Sequence, residues 1–107
     1  MAKWAESQED INKFVAIRNK IDKLQSGGIF LKIFLNNGKV VEGVVRGTNL
    51  KNDDMEIGLY RCAGDITITT EHRITEVVDL LDIQDVQNIT SKEILHKFAK
   101  LGIIELA

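Results

Sequence analysis

The chain contains no proline and one cysteine, Cys62, among its 107 residues. Without proline there is no Pro-rich linker or low-complexity tail to separate domains. A lone cysteine excludes an intrachain disulfide and a multi-cysteine metal site, in keeping with a reducing compartment. With two histidines, His72 and His96, far apart and distant from Cys62, a zinc site is not expected, and no glycine-bearing calcium loop accompanies Asp79, Asp82 and Asp85. Uninterrupted apolar runs are short, such as Ile29-Phe30-Leu31, against the roughly 18 residues a membrane-spanning helix needs. The first residues, Met1 to Ser7, lack the apolar core of a secretory signal, so a cytoplasmic location is the expectation. No nucleophile elbow, phosphate-binding glycine loop or paired carboxylates in helical register occur, so neither an enzyme nor a bound cofactor is expected.

A net charge of -2 provides no overall positive field for non-specific nucleic-acid binding, and any such site must be local. The charge is uneven. Residues 1–51 carry nine basic and five acidic side chains, residues 52–91 two and nine, and residues 92–107 three and two. This distribution fits solvated faces, and equally a basic face for phosphate with an acidic face that repels it or meets another subunit.

The length and a 44% hydrophobic content suit one small domain over residues 1–107. Ile11, Phe14, Ile17, Ile21 and Leu24 recur at helical spacing behind Ser7, which predicts an amphipathic helix over 8–25 stopped by Ser26-Gly27-Gly28. Its opposite face bears Lys13, Arg18, Lys20 and Lys23. The pattern then switches to period two. Ile29, Leu31, Ile33 and Leu35, then Asn36-Asn37-Gly38, then Val41, Gly43 and Val45 predict a hairpin over 29–47 with a type I′ turn. Phe30, Phe34, Val40 and Val44 make its second face partly apolar, which suits a curved sheet covered on both sides, and Gly43 reads as a barrel bend or as weak packing. Leu50 to Asp54 reads as a polar loop, followed by strands over 55–61 and 65–70 joined by Cys62-Ala63-Gly64. Residues 74–90 read as two short strands around a turn near 83–85, or as a helix over 76–88.

Thr90 and Glu93 have capping-box spacing, and Ile94, Leu95, Phe98 and Leu101 form the stripe of a second helix over 91–101. The apolar tail with Ile103, Ile104 and Leu106 either packs back on the sheet or docks on a protein partner. Trp4 anchors a partner or packs over the barrel mouth. The predicted architecture is α+β and mostly β: a small five- or six-stranded antiparallel barrel of the SH3 type over 29–90, with an N-terminal and a C-terminal α-helix.

From about Leu24 to Leu81 the chain resembles the Sm-like superfamily, in particular the bacterial RNA chaperone Hfq. The likeness rests on Leu31 to Val45, which is similar to that family's first motif of apolar strand, glycine turn and bend glycine. It rests also on His72-Arg73-Ile74-Thr75-Glu76-Val77-Val78, similar to the segment carrying Lys-His-Ala-Ile-Ser before the last strand. Thr48-Asn49 replaces the family's aromatic-Asp pair and Glu71 its lysine, both departures at an inner uridine site. The resemblance leaves residues 76–81 or 82–90 as the last strand; the register that uses His72 takes 76–81. It implies a homo-oligomeric ring closed through strand edges with RNA or a nucleotide at a local site. There Asn49 would face a base, His72 approach the pore, Arg73 reach a phosphate, and Lys13, Arg18, Lys20 and Lys23 contact RNA backbone. The other classes open at this point are a protein-interaction module or inhibitor, docking through a sheet edge and the tail, and a protein that sequesters nucleotides between subunits.

Overall fold

The computed structural model describes residues 4–55 and 59–105, with the side chains of 53–55, 59 and 60 left aside. Helix α1 (Gln8–Gln25) begins at Ser7, whose hydroxyl accepts the N–H of Asp10 at 3.1 Å, satisfying one of the donors that a helix start leaves free. Five antiparallel strands follow: β1 (Phe30–Leu35), β2 (Val40–Met55), β3 (Leu59–Thr69), β4 (Thr75–Asp79) and β5 (Ile83–Asn88). A single 3₁₀ turn, Leu80–Asp82, separates β4 from β5, and helix α2 (Lys92–Lys100) closes the order. The sheet order is β4-β3-β2-β1-β5. The helix alternative over 76–88 is therefore replaced by two strands, with the turn three residues earlier than the sequence suggests. The last strand is 83–88, not 76–81; residues 75–79 form the strand before it.

The two short hairpins share one turn geometry. Gly38 N–H bonds Leu35 C=O at 3.0 Å and Leu35 N–H bonds Lys39 C=O at 2.8 Å, with Gly38 left-handed at φ 88. Arg73 N–H bonds Thr70 C=O at 3.0 Å and Thr70 N–H bonds Ile74 C=O at 2.9 Å, with Arg73 left-handed at φ 64. Each is a three-residue loop ending in one left-handed residue. The expected type I′ turn at Asn37-Gly38 is corrected, because it needs positive φ at both positions and Asn37 does not supply it.

Residues 50–54, expected as a loop, continue β2, and Cys62-Ala63-Gly64, expected as a connector, lies inside β3; pairs such as Leu50↔Gly64 and Asn52↔Cys62 run without interruption. Part of the expected strand over 55–61, residues 56–58, lies outside the described residues. Past Phe30↔Val44, β2 loses its β1 partner, so β2 and β3 project as a two-stranded arm from a molecule 52 × 29 × 23 Å across. Ala5 bridges Cys62 on the outer side of that arm through N–H···O contacts of 2.6 and 3.2 Å. Trp4 beside it is half-buried, with the Arg61 guanidinium 4.1 Å over its ring.

Apolar packing covers both faces of the sheet. On one, Phe14, Ile17 and Ile21 of α1 are buried against Leu31, Ile33, Ile66, Ile68, Ile83 and Val86. Removing side chains of this size from water stabilises by about 1.5–3 kcal/mol each. On the other, Phe98 of α2 packs edge-on against Phe30 at 4.8 Å between ring centroids, with Val44 beneath. Ile103 and Ile104 pack on the same cluster, which places that part of the tail on the sheet; Leu106 lies outside the described residues. At the start of α2 the cap is Ser91, which accepts Ile94 N–H, while Thr90 is used instead to accept Phe30 N–H at 3.0 Å.

Candidate functional site: basic side chains and sheet edges

The side chains expected to contact RNA lie in three places. Lys13 Nζ donates to Leu81 C=O at 2.8 Å, and Lys20 pairs with Asp85, so both reach from α1 to the 3₁₀ turn and β5. Arg18 is half-buried on another flank of α1, where Ile21, Thr48, Leu50 and Leu80 line a small cleft with it. Lys23 is exposed. Asn49 sits on the arm between Thr48 and Leu50, and strand alternation turns it to the face away from Arg18. His72 and Arg73 occupy the β3–β4 turn. His72 is exposed, 3.7 Å from Glu71, and the Arg73 guanidinium donates to Leu101 C=O at the end of α2. The structure thus brings together neither His72 with Asn49 nor either with the α1 cations.

What the β3–β4 turn does hold is α2. Glu71 pairs with Lys97, whose hydrogen bond draws the Glu71 carboxyl below its usual pKa. Arg46, on the bulge of β2, donates from Nε to Thr69 Oγ1 at 3.2 Å and from Nη2 to Ile103 C=O at 2.8 Å. Arg46, Glu71 and Lys97 carry no sequence pattern that marks them, since their partners are distant in the chain. Among the described residues no cluster of His, Cys, Asp and Glu is placed to hold a metal ion. Cys62 is fully buried, and burial pushes its thiol pKa up against the opposing field of Arg18.

The two outermost strands of the sheet, β4 and β5, have edges of different character. On β4, the Thr70–Ile74 hydrogen bond and the register Ile68↔Glu76 turn the backbone groups of Glu76 and Val78 toward β3. Thr75 and Val77 therefore present N–H and C=O outward, whereas the Asp79 C=O is taken up by the 3₁₀ turn that Asp79 caps. Val77 at 65% and Ile74 at 56% are the most exposed large apolar side chains among the described residues. On β5, the Ile89 N–H bond to Phe30 C=O and the register Lys32↔Gln87 turn Val86 N–H outward. That N–H is already taken: Asp85 Oδ1 accepts it at 2.9 Å, and Lys20 holds the carboxylate. Both bonds favour the ionised form, and the Asp85 pKa lies below its usual value.

Five antiparallel strands in this order between an N-terminal and a C-terminal helix constitute an α+β fold of the Sm-like type. A protein from Xanthomonas campestris, whose crystal structure is described as a novel variant of the Sm-like motif, superposes with a TM-score of 0.60 at 16% identity, covering 84% of this chain and 96% of that one. At that identity the likeness concerns the fold. No protein-family model matches the sequence, and no curated protein matches it either. No helix among the described residues is long and apolar enough to cross a membrane.

Proposed function

We propose that this is a non-enzymatic, Sm-like binding module that works by adding an extended strand to the β4 edge and assembles in that way. The observation that carries this reading is the outward pair Thr75 and Val77, with Val77 65% exposed beside Ile74. Unpaired backbone groups next to exposed apolar side chains are what strand addition uses: main-chain bonds give affinity and alternate side chains give selectivity. The protein-interaction class named from the sequence is thus favoured through its sheet edge rather than its tail, since Ile103 and Ile104 are spent on Phe98 and Phe30.

RNA or nucleotide binding is the second reading, favoured by the Arg18 guanidinium and the Lys23 ammonium, which make no ion pair or side-chain hydrogen bond among the described residues. Capture from a lysate on immobilised full-length protein separates the two. Strand addition predicts that what is captured, the protein's own copies included, is lost with Val77→Lys and kept with Lys23→Glu. Nuclease-sensitive capture that falls steeply with salt and is lost with Lys23→Glu, but indifferent to Val77, replaces it with the RNA reading.

A further inference from the structure

We infer that the occupant of the β4 edge is a second copy of this chain, paired antiparallel about a two-fold axis at Val77, and that β5 takes no part. The inference rests on the strand-addition reading above and names its partner. A ring built from one kind of contact needs two different edges, each open to the other. Here the middle of β5 is closed by its own side chains. An incoming strand would have to displace Asp85 from Val86 N–H and separate Asp85 from Lys20, which comes from α1. Charged side chains on an edge strand are a recognised block to pairing.

The β4 edge, by contrast, is complementary to itself. Centred on Val77, an antiparallel pair sets Val77 against Val77, Thr75 against Asp79 and Glu76 against Val78, so no like charges oppose across the seam. Val77 at the centre and Thr75 beside it are also residues whose backbone groups point outward, so the central ladder bonds and the side-chain match select the same register. Centring the pair on Glu76 instead would bring two carboxylates together. The Glu76 carboxylate is held to the side by Lys39 at 2.7 Å, which leaves the edge clear. Because the contact is isologous it closes after two copies, and it covers the most exposed apolar side chain of the described surface.

Sedimentation equilibrium of the full chain over a concentration series gives the test. The expected mass is twice 12.0 kDa at the upper concentrations. Val77→Lys, which opposes two ammonium groups at the axis, is expected to give the monomer mass throughout with an unchanged far-UV spectrum. Val77→Cys supplies an independent reading: oxidation should trap a covalent dimer, while Gln84→Cys on β5 should not, with Cys62 buried in both. A mass above the dimer, a monomer at every concentration, or cross-linking through Gln84→Cys overturns the inference. A wild-type monomer whose capture of other proteins is lost with Val77→Lys overturns self-pairing alone, and capture indifferent to Val77 overturns strand addition itself.

Discussion

A Cβ on Gly43 would lie 2.1 Å from the carbonyl oxygen of Thr69 and 3.0 Å from a methyl of Ile68. The near atom is backbone at the point where β2 and β3 diverge, just before Val44↔Thr69, so it cannot swing aside as a side-chain end would. Of the two sequence readings of Gly43, a bend or weak packing, close backbone approach at a bend is the one with a physical cause. Gly43→Ala is expected to lower unfolding free energy by about 1–3 kcal/mol, read as a lower urea midpoint at constant slope. Arg73 occupies the left-handed position that Gly38 fills in the other hairpin. An L side chain there costs roughly 1–2 kcal/mol of backbone energy, and the guanidinium bond to Leu101 C=O offsets part of it. Arg73→Ala removes the bond and keeps the cost; Arg73→Gly removes both. The Gly variant is therefore expected to be the more stable of the two by about 1 kcal/mol, measured by parallel denaturant titrations.

At the scale of elements, α1 and the first hairpin are legible because each buries a single face, and burial of one face imposes a period on the sequence. The arm formed by β2 and β3 is not. Between Gly47 and Asn52 the strand is exposed on both faces, so the polar run Lys51-Asn52-Asp53-Asp54 need not alternate and reads as a loop. Cys62-Ala63-Gly64 misleads for a different reason. All three are buried, Cys62 and Gly64 on the face toward α1, and a Cβ at Gly64 would lie 3.2 Å from Phe14 Cζ, so the small size there reflects a packing demand rather than a turn. Helix α2 is legible from its stripe, but the sheet face it covers is not. Because Phe98 fills the contact with Phe30 and Val44, Phe98→Ala is expected to cost about 3–5 kcal/mol in thermal or denaturant unfolding.

Across the whole molecule, the expected site residues are scattered because a cation in a sequence does not declare its partner. Lys13, Lys20 and Arg73 have the composition of a phosphate-binding face, yet each is bonded within the chain, two of them to main-chain carbonyls. The surface proposed here for binding is the β4 edge, and backbone groups on an edge carry no residue signature at all. The Lys20–Asp85 pair joins these two observations and makes them measurable through pH. The Asp85 pKa is lower in the folded state than its ordinary value near 3.9, so the stability it contributes is complete above that value and is lost as pH falls through the folded pKa. Both partners are near half-exposed, so the loss is expected to be small. Lys20→Met removes the main cause of the shift and should flatten the acid limb of the stability profile below about pH 4. It should also quicken hydrogen exchange at Val86 N–H at neutral pH, since the carboxylate that accepts it is then no longer held. Unchanged exchange at Val86 would mean that Asp85 guards the β5 edge without help from α1, and the closure of that edge would then belong to the strand itself.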